Sequence, residues 1–223
     1  MPRDGERTKE RILEAAQALV LRRGFAATSV DAIQADAGIS RGTFFYHFPS
    51  KDDLARALIE RYAEADRELV DRLMRRAETL ATDPLQQALT FIALHEELFE
   101  DVSPEEAGCL FASYSYEAGV IDADTHRLIT DSIDLWRRTL GGKLAEAMKG
   151  HEPLIPDVDP YLLADVAYGV LQGAIILRRS LDDPGLMARH VRQFRNYLEL
   201  LFGVVGADRI GASTTPASER AGP

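Results

Sequence analysis

Residues 24–53 read GFAATSVDAIQADAGISRGTFFYHFPSKDD, and their spacing is the most informative in the chain. Thr28 or Ser29 can cap a short helix that ends just before Gly38, a residue suited to a tight turn. Ser40 can cap a second short helix directly after that turn. Two short helices joined by a short turn that contains glycine are typical of a helix-turn-helix.

The second of these helices divides into two faces. Phe44 and Phe48 lie four residues apart and can pack inward, while Arg41 and Phe45 share another face. The first residues of the second helix in such a motif meet base edges in the major groove of DNA. Arg41 can bridge O6 and N7 of guanine, and Thr43 can contact a thymine methyl group or a phosphate. The pattern predicts DNA binding, although an ordinary helical hairpin has similar capping and turn residues.

In identity and spacing, residues 7–60 resemble the N-terminal signature of the TetR/AcrR family of transcriptional regulators. The resemblance is carried by GFAATSVDAI and AGISRGTFFYHF. The family usually has Tyr where this chain has Phe45, so the contact there is apolar or Tyr46 takes it over. The residues that the resemblance implies for DNA binding are Thr28, Ser40, Arg41, Gly42, Thr43, Phe45, Tyr46, His47 and Lys51.

The rest of the chain also has helical periodicity, and no segment alternates like a strand. We predict an all-α fold of about nine helices, with a three-helix N-terminal unit and a larger helical unit. The predicted domains are a DNA-binding domain at 1–50, an effector-binding and dimerisation domain at 51–205 and a disordered tail at 206–223. The predicted helices span 7–23, 29–37, 40–48, 51–80, 84–100, 104–116, 123–149, 160–180 and 185–203.

Charge is distributed unevenly along the sequence. Residues 1–51 hold eight Lys/Arg and six Asp/Glu, a net of +2, and the remaining residues hold 18 and 30, a net of −12. A basic end on an acidic body favours one anionic partner at that end, which fits double-stranded operator DNA.

Several classes of site and location are disfavoured by the sequence. Cys109 is the single cysteine and the five histidines are scattered, so we expect no disulfide, no metal site and no cofactor. Cys109 is either an inert buried residue or a redox sensor. The charged N-terminus is not a secretory signal, and the apolar stretch at 166–177 is too short to span a bilayer. We therefore expect a cytoplasmic protein without a membrane partner.

The last two long helices, about 160–203, carry apolar residues on more than one side. Such helices need a neighbour on each side, which favours a homodimer over a monomeric core. A small-molecule effector is expected among aromatic and polar residues of the central helices, although aromatic residues at helical spacing are more often plain core. The candidates are Phe91, His95, Phe99, Phe111, Tyr114, Trp136, Tyr168 and Gln172.

The resemblance implies a repressor that a small molecule releases from palindromic DNA, with an activator of the same family as the alternative. An enzyme is disfavoured, because the sequence contains no nucleophile–base pair, paired-carboxylate motif or phosphate loop. A helical scaffold that binds only protein would leave Arg41 and Thr43 without a role.

Overall fold

A computed structural model describes residues 2–100, 102, 108–117 and 121–204, with side chains described from residue 5 onward. Within those ranges the chain forms nine helices and no strand, which confirms the all-α prediction. The helices are α1 (Pro2–Arg23), α2 (Val30–Ala37), α3 (Arg41–His47), α4 (Lys51–Leu80), α5 (Pro84–Glu100), α6 (Leu110–Ser115), α7 (Ala123–Ala147), α8 (Pro160–Leu181) and α9 (Leu186–Leu201).

Two predicted helices differ clearly at their start: α1 begins at Pro2 and not at residue 7, and the helix predicted at 104–116 begins later than expected. Cys109 has an extended backbone, with φ −127° and ψ 117°, so α6 begins only at Leu110. Cys109 offers the new helix no side-chain cap. The predicted start at residue 104 and the predicted tail at 206–223 lie outside the described residues.

Two hydrophobic cores organise the molecule, and α4 belongs to both. Its first half places Leu54 and Leu58 in the core formed with α1, α2, α3 and α6. Its second half places Val70 and Ala77 in the core formed with α5, α7, α8 and α9. The division of the chain at residue 50 therefore remains a prediction, since α4 links the two cores as one continuous helix.

Helix α8 is unusually apolar for its exposure. It extends beyond the apolar stretch at 166–177, and over its full 22 residues it is long and apolar enough to cross a membrane by length and composition, with a mean hydropathy of 1.4 over its best window. The expectation that this segment is too short is therefore corrected. Only 22% of that window is buried within the chain, although the core helix of a soluble protein that passes this test is mostly buried. Exposed apolar surfaces of this kind are typical of sites where a protein contacts another protein or a membrane.

Candidate nucleic-acid interface and effector cavity

The turn between α2 and α3 has the geometry that its sequence predicts. The Ser29 hydroxyl accepts a hydrogen bond from the N–H of Ala32, and that of Ser40 accepts one from the N–H of Thr43. Gly38 adopts left-handed angles, φ 62° and ψ 45°, and its N–H binds carbonyls of α2. A residue with a Cβ disfavours this conformation, so glycine makes the turn possible. The two helices therefore form a helix-turn-helix.

The inner face of α3 is anchored by aromatic packing. Phe44 is fully buried and Phe48 is 2% exposed, with ring centroids 6.0 Å apart. Both lie with Ile33 of α2 in the core that α1, α2, α3, α6 and the first half of α4 form, which we call the N-terminal core. This packing fixes the rotation of α3 and so determines which of its residues face outward.

The outward face of α3 is exposed and mixed in character. Arg41 lies 3.4 Å from Asp31 and places its guanidinium 5.3 Å from the centre of the Phe45 ring. Tyr46 is 83% exposed, which is unusual for a large aromatic side chain, and its ring meets that of His47 edge-on. An exposed surface of one cation, aromatic rings and polar groups suits a nucleic-acid groove.

Smaller groups complete the same face. Gly42 is exposed, and a Cβ placed there meets only the Ser40 hydroxyl, at 3.9 Å. Backbone can therefore approach closely at this position. The Thr43 hydroxyl lies 2.8 Å from that of Ser40, so the two hydroxyls form a pair at the start of α3.

Thr28 and Lys51, both expected to contact DNA, have internal partners in the structure. Thr28 is fully buried and its hydroxyl donates to the Gly24 carbonyl, 2.7 Å away. The Lys51 ammonium donates to the Phe25 carbonyl at 2.7 Å and lies 4.2 Å from the centre of the Phe25 ring. Burial lowers the pKa of Lys51, an effect that Glu117 and Asp52 oppose. Both side chains stabilise the loop before α2 in this structure.

That loop is also held from outside the helix-turn-helix. The two carboxylate oxygens of Glu117, just after α6, each accept a hydrogen bond of 2.7 Å, one from the N–H of Phe25 and the other from that of Ala26. A Cβ at Gly24 would lie 2.7 Å from this carboxylate, so glycine permits the close approach. Arg179 at the end of α8 donates to the Leu21 carbonyl. The larger helical unit thus contacts both the C-terminal end of α1 and the loop before α2.

A cavity of about 110 Å³ lies among α4, α5, α6, α7, α8 and the start of α9. Six of the eight predicted pocket residues line it, and Phe91 and Tyr114 do not. Phe91 is fully buried in the core behind His95 and Trp136, and Tyr114 packs against Phe25 in the N-terminal core. The lining residues are Tyr62, Asp66, Leu69, His95, Phe99, Gly108, Cys109, Phe111, Ser132, Ile133, Trp136, Tyr168, Leu171, Gln172, Ile175 and Met187.

The part of the wall that α4 contributes has little signal in the sequence. Tyr62 and Asp66 lie four residues apart on a helix rich in charge, where a carboxylate usually faces solvent. Here burial raises the pKa of Asp66 to about 6. Burial also raises the pKa of Tyr62 and of Tyr168, so both phenols stay protonated and can donate hydrogen bonds.

Two further polar groups line the same cavity. The thiol sulfur of Cys109 lies 3.8 Å from the Tyr168 hydroxyl. His95 is 3% exposed, and burial lowers its pKa to about 4, so its imidazole is neutral at physiological pH. The cavity is therefore mostly apolar with a few directed polar groups, which is typical of a small-molecule site.

An N-terminal helix-turn-helix on a helical body with an internal cavity defines a DNA-binding regulator. Two family models match the chain: "Bacterial regulatory proteins, tetR family" over residues 12–58, and "Tetracyclin repressor-like, C-terminal domain" over residues 84–194. The chain belongs to the TetR family of transcriptional regulators.

Individual relatives agree with this assignment. The transcriptional regulator AcuR of Cereibacter sphaeroides is 27% identical over 179 residues, which cover 80% of this chain and 79% of the relative. The repressor DhaR of Mycobacterium sp. (strain GP1) is 23% identical over 169 residues, or 75% of this chain and 80% of the relative. A TetR-family crystal structure from Agrobacterium tumefaciens shares the fold, with a TM-score of 0.71 at 21% identity, covering 86% of this chain and 98% of that one.

Proposed function

We propose that this chain is a ligand-responsive repressor that binds palindromic operator DNA as a homodimer and leaves it when a small molecule fills the cavity. The observation that carries the proposal is the position of α6. Cys109 just before its start and Phe111 in its first turn line the cavity, and Glu117 beyond its end binds the loop before α2. One short helix thus connects the cavity to the helix-turn-helix.

This connection suggests how a ligand changes DNA affinity. A molecule that fills the cavity displaces the start of α6, and Glu117 then shifts the backbone of Phe25 and Ala26. Helix α4 also lines the cavity and runs into the N-terminal core, so the same event changes the angle of α4. Both motions alter the position of α3. Ligand lowers DNA affinity only to the extent that it prefers the displaced arrangement.

The dimer is supported by the uncovered face of α8. Leu162, Val166 and Ile176 are exposed at helical spacing on this face. A Cβ at Gly169 or Gly173 meets no atom within 4 Å, which leaves room for another helix to approach closely. A second copy of the chain satisfies these observations, and a dimer presents two recognition helices to two half-sites.

Sedimentation and DNA binding test the dimer together. We expect Val166→Glu to produce monomers and to weaken binding to a two-half-site DNA, because it places a charge in the apolar contact. Ile155→Glu is the matched control, since Ile155 is similarly exposed but lies outside α8. A Val166→Glu protein that stays dimeric contradicts the proposed interface.

Repression and release are tested by transcription in vitro from a promoter that overlaps the bound DNA. The repressor DhaR is a relative, which favours reduced transcription on addition of the protein. Compounds small enough for the cavity are then screened for recovery of transcription. Increased transcription without ligand contradicts repression, and failure of every cavity-binding compound to release DNA contradicts ligand control.

A further inference from the structure

The cavity has a single formally charged wall residue at neutral pH among the residues that the structure describes. Asp66 of α4 lines it, and no described lysine or arginine does. The carboxylate is half-buried, has no ion pair within the described chain and has its pKa raised by burial alone. An ionised carboxylate in this position has lost hydration without gaining a cation. A positively charged ligand would supply the missing countercharge.

His95 of α5 adds a second electron-rich group. Its Nδ1 lies 2.8 Å from the Phe91 carbonyl oxygen, so this nitrogen carries the proton and donates. The neutral ring therefore has Nε2 as a hydrogen-bond acceptor, and Nε2 is buried with no partner among the described residues. A buried acceptor without a donor costs free energy, and a ligand N–H or O–H would satisfy it.

The apolar part of the cavity wall can bind a cation as well as an uncharged apolar group. Aromatic rings from five helices, α4 to α8, contribute to it, among them Tyr62, Phe99 and Trp136. Such rings attract a cation placed over their faces, most strongly when water is excluded. An anion meets the opposite conditions, because Asp66 repels it and no described cation in the wall attracts it.

The volume of the cavity limits the size of the ligand. A dry cavity of roughly 150 Å³ holds a benzene molecule. At about 110 Å³ this cavity suits a compact molecule, with modest side-chain adjustment for one substituent.

We propose that the cavity takes a compact organic cation, a protonated amine on a small aromatic or branched apolar body. Its N–H groups bind the Asp66 carboxylate and the free nitrogen of His95, while its body packs against the aromatic wall. That such a cation binds in the cavity is inferred independently of the proposed function. That the cation is the effector rests on the proposed function. The net charge of −10 on the chain also favours a cation over an anion.

Three probes of one shape and different charge test the proposal directly: benzylamine, benzyl alcohol and benzoate. Trp136 is the single tryptophan and lines the cavity, so its fluorescence reports binding there without DNA. We expect saturable binding of benzylamine at least about tenfold tighter than of benzyl alcohol, and no binding of benzoate. Equal or tighter binding of benzoate, or no binding of benzylamine, overturns the proposal.

Two variants locate the charge that matters. Asp66→Asn should weaken benzylamine binding about tenfold or more and leave benzyl alcohol nearly unchanged. Glu68→Gln removes the same charge from an exposed position of α4 and should change neither affinity. If Asp66→Asn binds benzylamine as the unaltered protein does, Asp66 is not the countercharge and the proposal fails.

The test of the ligand class can fail without the proposed function failing, and the reverse also holds. Benzylamine that binds through Asp66 without releasing DNA supports the ligand class and contradicts ligand control by this class. A neutral or anionic compound that fills the cavity and releases DNA supports ligand control. It overturns the proposal that the ligand is a cation.

Discussion

Glu117 provides the sharpest test of communication between the cavity and the helix-turn-helix. Its carboxylate accepts one hydrogen bond of 2.7 Å from each of two backbone N–H groups, those of Phe25 and Ala26. Replacing Glu117 by Ala removes both acceptors and leaves Gly24 in its left-handed conformation, φ 84°. The α2–turn–α3 unit keeps its own caps and aromatic core, so we expect it to remain folded.

The magnitude follows from the kind of hydrogen bond that is lost. A hydrogen bond to a charged group contributes about 1.5–3 kcal/mol, and partial exposure of this carboxylate lowers the value toward about 1 kcal/mol for each N–H. Opening the loop therefore becomes easier by about 1–2 kcal/mol. That difference corresponds to roughly tenfold faster hydrogen exchange at these two amides.

Residue-resolved hydrogen exchange measures the exchange rates of these two amides directly. Glu68→Gln, at an exposed position of α4, is the control. We also expect Glu117→Ala to reduce the effect of a cavity ligand on DNA affinity, because the link through α6 is broken. Unchanged exchange at Phe25 and Ala26, or full ligand response without Glu117, refutes the role that we assign to this contact.

Two further predictions concern stability. The folded-state pKa of Asp66, about 6, lies above the ordinary value of 3.8, so the folded protein binds the proton more tightly than the unfolded chain. The free energy of unfolding therefore decreases as pH rises through 6, and Asp66→Asn should remove this decrease. The variant should be about 1–2 kcal/mol more stable near pH 7.5 and lose that advantage toward pH 4, as urea denaturation will show; a pH-independent difference contradicts this. Phe44→Ala should cost about 3–5 kcal/mol and abolish DNA binding, because Phe44 is fully buried beneath α3. Circular dichroism melting checks it against Phe45→Ala, at an exposed position, and equal losses in the two variants refute it.

The helix-turn-helix could be predicted because its signals are local. Ser29 and Ser40 cap the two helices, and Gly38 adopts the left-handed turn between them. Phe44 and Phe48 lie on one face by helical spacing alone. These features depend on neighbours within a few residues, and the structure has all of them where the sequence places them.

The cavity depends on contacts between distant elements and was predicted only in part. Aromatic residues of α5 and α7 were recognised, but Tyr62 and Asp66 were not, since a polar residue on a charged helix gives no sign of facing inward. Long-range contacts of Lys51 are hidden from the sequence in the same way. Its ammonium binds the Phe25 carbonyl, 26 residues away in the chain, and its contact with a DNA phosphate stays a prediction.

The most direct test of the central claim is selection of bound sequences from a random double-stranded DNA library, at one stated salt concentration. We expect an inverted repeat for the unaltered protein and for the Arg138→Ala variant, since Arg138 is an exposed arginine of α7 paired with Asp134. Arg41→Ala should lose about 1–3 kcal/mol of discrimination at one base pair of each half-site. Enrichment of no sequence, or of the same sequence with equal preference after Arg41→Ala, would contradict recognition of DNA through α3.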